Sequence, residues 1–304
     1  MTSTAPNPPV STGPGPAPTV VALGGGHGLA ATLEAASSYA HKVVGVVSVA
    51  DDGGSSGVLR SELGVEAPGD ARRCISALAA DRTMLGRTLE YRFESGALKG
   101  HPIGNLLLAG LTVAGGGGFQ QAINELCRIV GLEAGSICAA TDEPVVLEAD
   151  SDYGPLRGQV RIEDAPGIRS LRFDPADPQV SNEVIEAVGC ADQIIIGPGS
   201  LFTSVLAAVC VPRIVEALCA SSAQRVFVAN VANERALARG FGLEQHVNAL
   251  VEHGVPVDVV VAHGEGGATV GGLPVRRGQL SAADGWGHDP VALGNVLWST
   301  YCSG

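Results

Sequence analysis

The sequence predicts an α/β fold, a doubly wound and mostly parallel sheet that carries a small β insert. Short apolar runs of strand length recur along the chain, at residues 19–23, 43–50, 193–196 and 257–261. Stretches with helical periodicity separate these runs, and several runs end in glycine-rich loops. Strands that are apolar nearly throughout are typical of a parallel sheet covered on both faces.

Composition bounds the class of protein. The chain has 304 residues, 45% apolar and 16% charged, with 42 glycines, which suits tight strand-to-helix turns and loops that approach a ligand. A net charge of −12 argues against binding nucleic acid or an anionic membrane. A local arginine cluster is still compatible with a phosphate-bearing ligand.

Cysteine usage and apolar run lengths predict the compartment. The seven cysteines are scattered, odd in number and form no CxxC pair, which favours buried thiols in a reducing environment. The N-terminus has no signal-peptide pattern, and no apolar run reaches the roughly 18 to 20 residues needed to span a bilayer. We therefore expect a cytoplasmic protein without membrane insertion.

The chain divides by composition into three parts. Residues 1–18 are uncharged and rich in Pro, Ser and Thr, which predicts a disordered tail. Residues 19–263 form the predicted nucleotide-binding domain, with a β insert at about 137–173 where short β segments replace helical patterns. Residues 264–304, glycine-rich and then helical from about 291, extend the same domain.

The elements follow in a regular order. Residues 19–23, 29–39 and 43–50 read as strand, helix and strand, which is one βαβ unit. From residue 70 to about 130 the pattern is helical, with breaks at Gly86, near residues 100–102 and at 115–118. After the insert, strands and helices alternate again up to residue 261.

The first glycine-rich loop follows the first strand and opens a helix. Free backbone N–H groups and the positive end of the helix dipole at such a turn suit a phosphate. The predicted ligand-binding residues here are Gly25, Gly26, His27 and Gly28. The spacing departs from GxGxxG and lacks GK[ST], so ATP hydrolysis by a P-loop is not expected. A tight structural turn is the alternative interpretation.

Asp51 and Asp52 end the second strand, where dinucleotide folds carry a ribose-binding carboxylate. Successive side chains of an extended segment point to opposite sides, so one carboxylate faces a ribose or Mg²⁺ while the other caps the next turn. Ser55 and Ser56 follow and add two hydroxyls. The alternative is an acidic turn in a solvated loop.

Two further segments carry polar candidates. Asp70 is the predicted N-cap of a helix. For the arginines of that helix, including Arg73, three interpretations are open: they reach phosphates, pair with Asp51 or Asp52, or stay solvated. His101 is predicted either to act on a substrate or to cap the turn in which it lies. Asn105, at the start of an apolar helix, is predicted to contact a base or sugar.

A late loop repeats the pattern of strand, glycines and helix. In an open α/β sheet, loops at the carboxyl ends of neighbouring strands share one crevice, so this loop is predicted to close the site. The residues concerned are Gly197, Gly199, Ser200 and Leu201. Ser200 and Thr203 are predicted phosphate donors or plain helix caps. Neither a nucleophile elbow nor a His-x-x-Glu-His metal motif occurs.

Five motifs together resemble one family. GGGHGL, VADDGGSSGVLR, PGDARRC, GHPIGNLLLA and IGPGSLFTSV, spread over about residues 20–261, resemble the gluconeogenesis factor family, relatives of 2-phospho-L-lactate transferase. The resemblance implies a Rossmann-like fold, binding of a UDP-sugar such as UDP-N-acetylglucosamine, and a role in cell shape and envelope growth on gluconeogenic carbon sources.

The chain departs from these relatives in two places. His27 stands where many have Thr, and residues 49–52 and 197–201 lack the Thr-Gly-Asp-Asp and Gly-Pro-Ser-Asn-Pro runs of the transferase branch. This favours a non-catalytic regulator that senses a nucleotide sugar and acts on protein partners in envelope synthesis, with a homodimer compatible with the resemblance.

Two other functions stay open. The first is a 2-phospho-L-lactate transferase-like enzyme that moves a phospho-lactyl group from a nucleotide diphosphate donor, with Mg²⁺ held by Asp51 and Asp52. Only four Tyr, six Phe and two Trp are available to line an aromatic acceptor pocket. The second is an NAD-binding protein, because the same phosphate loops accept NAD as well as a UDP-sugar.

Overall fold

A computed structural model describes residues 16–79, 84–231, 241–283 and 285–304. Most of the predicted disordered tail, residues 1–15, lies outside this range. The strands are β1 (Thr19–Gly24), β2 (Lys42–Val47), β3 (Ile137–Ala139), β4 (Val146–Ser151), β5 (Gly154–Arg157), β6 (Ile168–Asp174), β7 (Gln193–Ile196), β8 (Gln224–Val228), β9 (Val259–His263), β10 (Thr269–Val270) and β11 (Leu273–Gly278).

The helices connect these strands, and several of them follow one another between β2 and β3. They are α1 (Gly26–Ser37), α2 (Gly54–Leu63), α3 (Pro68–Ala79), α4 (Met84–Thr88), α5 (Ile103–Gly115), α6 (Gly118–Ile129), α7 (Gln159–Glu163), α8 (Asn182–Gly189), α9 (Leu206–Val209), α10 (Pro212–Ala220), α11 (Leu243–Glu252) and α12 (Pro290–Tyr301), with a π-helical turn at Leu201–Val205 before α9.

Eight strands form the central sheet in the order β10-β11-β9-β8-β7-β1-β2-β3. Every pair is parallel except β10 with β11. The chain adds β2 and β3 on one side of β1 and then returns to add β7, β8 and β9 on the other. The strand order therefore reverses between β1 and β7, and the predicted doubly wound α/β fold is confirmed.

The core lies on both faces of this sheet. All four residues of β7 and the last five of β1 are buried, although successive side chains point to opposite faces. Helices must therefore cover both sides, which is why these strands are apolar without alternation. The register between β1 and β7 runs from Val20 opposite Gln193 to Leu23 opposite Ile196.

The β insert is an antiparallel sheet of three strands in the order β5-β4-β6, with α7 between β5 and β6. In β4, burial alternates along the strand, as expected for a sheet with one wet face. The short strand β3, which the sequence assigned to this insert, pairs in parallel with β2 at the edge of the central sheet. Its three residues are all buried and give no alternation that would mark them.

The C-terminal extension completes the sheet. Strand β11 pairs in parallel with β9, and β10 adds an antiparallel edge. Helix α12 packs on α1, where Gly294 allows close approach because an added Cβ would lie 2.9 Å from the Ala35 carbonyl oxygen.

Within the described residues all seven cysteines are free thiols. Cys74, Cys127 and Cys138 are buried as predicted, Cys210 is half-buried, and Cys190, Cys219 and Cys302 are exposed. The prediction of burial is wrong for those last three, which lie at or near the carboxyl ends of α8, α10 and α12.

No helix in the described ranges is by itself long and apolar enough to cross a membrane. The segments Leu201–Val209 and Pro212–Ala220 reach that length and composition only as a pair, and they are bent by 67° at their junction.

Candidate functional site

The loops after β1 and β7 lie against each other. A Cβ added to Gly28 would overlap the carbonyl group of Pro198, so the two backbones are in direct contact. Thr32, one turn further along α1, donates its hydroxyl hydrogen to the Gly197 carbonyl oxygen over 3.2 Å. The structure thus brings together the early and late glycine loops at the reversal of strand order, where open α/β sheets bind ligands.

Helix α1 begins at this contact, and its free N–H groups meet a carboxylate. Gly25 occupies the N-cap position and has no side chain to cap with. The carboxylate of Asp70 accepts a hydrogen bond from the Gly26 N–H, and a Cβ on Gly25 would overlap its Oδ2. The prediction that Asp70 is the N-cap of α3 is wrong, because Asp70 lies in the first turn of that helix. Its carboxylate lies instead at the N-terminus of α1, where a helix attracts an anion.

His27 lies at the exposed start of α1. Partial burial of the ring lowers the pKa of His27, and the guanidinium of Arg73 lowers it further. The imidazole is therefore neutral near pH 7 and offers a ligand both a donor and an acceptor nitrogen.

Asp70 lies near Asp51. Burial raises the pKa of Asp70, Arg73 lowers it through an ion pair of 2.8 Å, and the charge of Asp51 raises it. Asp51 accepts the Gly53 N–H at Oδ1 over 2.9 Å. Its Oδ2 would lie 3.3 Å from a Cβ on Gly69, the residue before Asp70. The converging carboxylates are Asp51 and Asp70, a pairing that the sequence did not suggest.

Asp52 faces elsewhere. Its Oδ2 and Oδ1 accept the backbone N–H groups of Gln159 and Val160, both over 2.9 Å, and so cap the N-terminus of α7. Asp51 and Asp52 therefore do not converge on one point, because an extended backbone sends them to opposite sides. Asp52 ties the loop after β2 to the β insert.

A chain of hydrogen bonds with a fixed direction runs beneath the site. Arg72 donates its Nε hydrogen to Asn105 Oδ1 over 3.2 Å, and Asn105 donates from Nδ2 to Ser55 Oγ over 3.1 Å. Because a guanidinium only donates, it fixes the orientation of the Asn105 amide. The Ser55 hydroxyl, 2.8 Å from His101 Nδ1, is then free to donate to that nitrogen.

Asn105 is buried at 2% exposure, so it orients Ser55 and His101 from below rather than lining an open surface. Ser56, also buried, packs against Gly69, where an added Cβ would come within 2.6 Å of its hydroxyl oxygen. Of the predicted polar residues after β2, Ser55 is therefore the one joined to the polar chain.

The two arginines of α3 have partners that the sequence did not indicate. Arg72, almost fully buried, forms a short ion pair with Glu90, and Arg73 pairs with Asp70. The predicted alternative, in which these arginines pair with Asp51 or Asp52, is therefore wrong. Glu90 lies after α4 in the sequence and comes close to Arg72 only in the folded chain. The Arg73 Nε is buried without a hydrogen-bond partner in the part of the chain that the structure describes.

Asn230, just after β8, holds the late loop. Its Oδ1 accepts the Gly199 N–H and its Nδ2 donates to the Gly199 carbonyl oxygen, both over 2.9 Å. Thr203 donates to Ser200 Oγ over 2.7 Å, which ties the two predicted phosphate donors to each other. Leu201 is buried in the π-helical turn and packs in the core. The sequence analysis did not name Asn230, although its position as a polar residue just after a strand could have indicated a role at this edge of the sheet.

The described residues contain no group of three or more His, Cys, Asp or Glu side chains suited to a metal ion. Asp51 and Asp70 offer two carboxylates. Mg²⁺ is commonly held by one or two carboxylates with substrate phosphates and water completing its shell. The donor set therefore fits Mg²⁺ that arrives with a phosphate ligand.

Fold and candidate site together define an α/β protein whose two glycine-rich loops meet where the strand order reverses. Residues 20–270 match the family described as "2-phospho-L-lactate transferase CofD", and the chain belongs to that family.

Relatives and solved structures agree with this assignment. A "Putative gluconeogenesis factor" of Mycobacterium leprae is 43% identical over 255 residues, 79% of this chain and 70% of that protein. A "Gluconeogenesis factor" of Halalkalibacterium halodurans is 38% identical over 251 residues, 81% of this chain and 77% of that one. A UPF0052 family crystal structure from Bacillus halodurans superposes with a TM-score of 0.81 at 30% identity, covering 92% and 98%. The family predicted from the five motifs is confirmed.

Proposed function

We propose that the crevice between β1 and β7 binds a nucleotide diphosphate donor with Mg²⁺, and that the chain is a 2-phospho-L-lactate transferase-like enzyme. One observation carries this proposal: the Gly26 N–H, the carboxylates of Asp70 and Asp51, and the Arg73 guanidinium gather at the N-terminus of α1. A helix N-terminus and an arginine suit phosphate oxygens. Two neighbouring carboxylates suit a divalent cation that accompanies them.

Asp51 and Asp70 would hold the cation. Their mutual repulsion contributes to the raised pKa of Asp70, and a cation between them relieves it. Bound Mg²⁺ would supply charge neutralisation of the diphosphate.

The chain's own residues orient the donor. When Asp70 turns to the cation, the Gly26 N–H and the Arg73 guanidinium, its present partners, become available to phosphate oxygens. The buried Arg73 Nε adds a further donor at the same place. Ser55, in the first turn of α2, and His101, in the segment before α5, lie at the end of the polar chain and would position the acceptor side of the ligand.

The proposed reaction is a substitution at phosphorus. The hydroxyl oxygen of an alcohol acceptor forms a bond to the phosphorus that carries the lactyl group. The bond from that phosphorus to the bridging oxygen breaks, and the nucleoside monophosphate leaves with the electron pair. The hydroxyl proton passes to water. Catalysis of such a transfer is mostly positioning and charge stabilisation, which suits a site built of N–H groups and an arginine.

A second candidate is a regulator that binds a UDP-sugar without turnover and acts on protein partners in envelope synthesis, as a monomer or a homodimer. The names of the relatives favour it, since proteins 38–43% identical to this chain are called gluconeogenesis factors and not transferases. The departures of the chain from the transferase motifs favour it too.

Calorimetric titration separates the two candidates. GDP, UDP-N-acetylglucosamine and NAD are titrated with and without Mg²⁺ into the full chain and into Asp51→Asn, Asp70→Asn and Asp52→Asn. The transferase proposal expects Mg²⁺-dependent binding of the diphosphate, lost in the first two variants and kept in Asp52→Asn. Turnover is followed by ³¹P NMR with a lactyl-diphosphonucleoside and an alcohol.

Two outcomes would contradict the transferase proposal. Selective binding of UDP-N-acetylglucosamine without Mg²⁺ and without turnover would favour the regulator. Absence of binding by every ligand would remove both candidates.

A further inference from the structure

A cavity of about 250 Å³ lies at the seam between the β insert and the central sheet. On the insert side it is lined by the turn after β4, by α7 and by the segment that leads to β6. The opposite side consists of the π-helical turn and the start of α11, and the loop after β7 contributes Ser200. Among the described residues that line this seam cavity, none belongs to the phosphate site proposed at the N-terminus of α1.

The walls of the seam cavity are apolar and aromatic. Ile162 and Ile168 line it from the insert, Leu201 lines it from the π-helical turn, and all three are buried. The rings of Phe202 and Phe241 meet edge-on with their centroids 6.0 Å apart, and both residues are only half-buried. An apolar occupant would remove this ring surface from water, which favours binding.

Two carboxylates border the same cavity. Glu163, at the end of α7, accepts a hydrogen bond from Gln159 Nε2 at Oε2 over 3.0 Å, which leaves Oε1 available as an acceptor. Asp152 forms one exposed ion pair, in which its Oδ1 lies 3.4 Å from Arg169 Nε. The backbone N–H of Asp152 donates to the Gly167 carbonyl oxygen over 3.0 Å, so the turn that carries this carboxylate is held in place.

The lining carries negative charge without a positive counterpart. In the part of the chain that the structure describes, neither Arg nor Lys lines the cavity. Burial lowers the pKa of His246, so the one imidazole of the lining is neutral at pH 7. The net charge of −12 adds to the negative potential at this border. Nucleotides and other anions are therefore disfavoured here, and a cation is favoured.

We propose that the seam cavity binds a small organic cation, an ammonium group carried on an aromatic or branched aliphatic body. The body packs against the phenylalanine rings and the isoleucines, and the ammonium group donates to the carboxylates of Glu163 and Asp152. A phenylalanine ring also attracts an ammonium group that lies over its face within about 6 Å. Since an apolar cavity of about 150 Å³ holds a benzene molecule, this larger one has room for a ring with a short chain.

Calorimetric titration of the full chain with phenethylammonium tests the proposal. Phenethyl alcohol has nearly the same shape without the charge, and ethylammonium has the charge without the ring. We expect the Kd of phenethylammonium to be about tenfold lower than that of either comparison ligand, the scale of one charge-assisted hydrogen bond or one buried ring. No nucleotide is present, so the result is independent of the proposed transferase function.

Adjacent acidic residues at the end of α7 supply the matched control. Glu163→Gln is expected to raise the Kd of phenethylammonium about fivefold, the upper end for an exposed charge pair, with the Kd of phenethyl alcohol unchanged. Asp152→Asn should act in the same direction but less, because Arg169 already offsets its charge. Asp164→Asn changes the net charge equally at an exposed position outside the lining and should leave both ligands unaffected.

Three results would overturn the cation site. The first is failure of phenethylammonium to bind, and the second is binding of phenethyl alcohol with equal affinity, which would indicate a purely apolar cavity. The third is an equal loss of phenethylammonium affinity in Glu163→Gln and Asp164→Asn, which would show attraction by net charge alone. Urea denaturation of each variant checks that it is folded.

Discussion

Asp51 and Asp52 are neighbours in sequence with opposite surroundings. Asp51 lies near Asp70 and interacts with it electrostatically, whereas both carboxylate oxygens of Asp52 accept hydrogen bonds from backbone N–H groups of α7. The sequence predicted that the two carboxylates of this extended segment point to opposite sides, and the structure gives each a separate environment. Asp52 stabilises the contact between the insert and the central sheet.

Replacing Asp52 tests this role. Asp52→Ala leaves two N–H groups of α7 without their cap, and we expect the free energy of unfolding to fall by about 1 kcal/mol. Urea denaturation followed by circular dichroism measures the change. Asp177→Ala, at an exposed position in the loop after β6, is the control and should unfold like the parent chain. Loss of Mg²⁺-dependent ligand binding in Asp52→Ala at full stability would contradict the structural role.

His101 carries a prediction about a single proton. Because Arg72 fixes the Asn105 amide, the Ser55 hydroxyl donates to His101 Nδ1, and the neutral ring must carry its proton on Nε2. Two-bond ¹H–¹⁵N NMR spectra of the labelled protein, recorded with the ring neutral, report this tautomer. Ser55→Ala should weaken the preference. A dominant Nδ1–H form in the parent chain would show that the chain of bonds does not reach the histidine.

The segment before α12 shows how an element is held by a buried histidine. His288, 7% exposed, donates its Nε2 hydrogen to the Ala229 carbonyl oxygen at the end of β8 over 3.1 Å. Burial lowers the pKa of His288 to about 4, against the opposing effect of that bond. The segment before α12 is thereby fixed to the carboxyl edge of the sheet.

Acid should therefore loosen this attachment. The unfolded chain protonates His288 below about pH 6.5 while the folded chain resists until about pH 4, so stability falls as pH drops through this window. The loss from this group is about 3 kcal/mol by pH 4. His288→Gln keeps a donor for Ala229 and removes the titration. Its unfolding free energy, measured by urea titration from pH 7 to 4, should decline by that much less. Parallel curves for the two proteins would contradict the assignment.

At the scale of the whole molecule, the site exists because β1 and β7 are neighbours. Nearly 170 residues separate their loops in the chain, and the parallel pairing of the two strands brings both loops to one edge. The close contact requires glycine at position 28, where any side chain would meet the Pro198 carbonyl group.

Gly28→Ala should force these loops apart. We expect a loss of about 1–3 kcal/mol in the free energy of unfolding, the range for overpacking, together with weaker ligand binding. Gly110→Ala in α5 is the matched control, since its added Cβ meets nothing within 4 Å and should stabilise the helix by about 0.5–1 kcal/mol. Thermal unfolding and calorimetry measure both effects. Unchanged stability in Gly28→Ala would mean that the loops can separate freely.

Local patterns predicted much of this architecture. The apolar runs predicted β1, β2, β7 and β9, and the glycine loops predicted where the loops after β1 and β7 meet, because burial on both faces and phosphate-type turns leave strong local signals. Strand β3 was assigned to the insert rather than to the central sheet, because its three buried residues show no alternation between buried and exposed positions. The roles of Asp52 and Asn105 were also missed, because their partners lie about 107 and 33 residues away.

The sequence by itself determined the α/β class, the family and the loops at which a ligand is expected, since these depend on residue types within a few positions of each other. Only the tertiary structure decided which groups meet: Asp51 with Asp70, Arg72 with Glu90, Asn230 with Gly199. Such contacts depend on strand order and helix packing. Pair contacts between distant residues leave no periodicity in one sequence, so the geometry of the site emerged only when the strands were placed side by side.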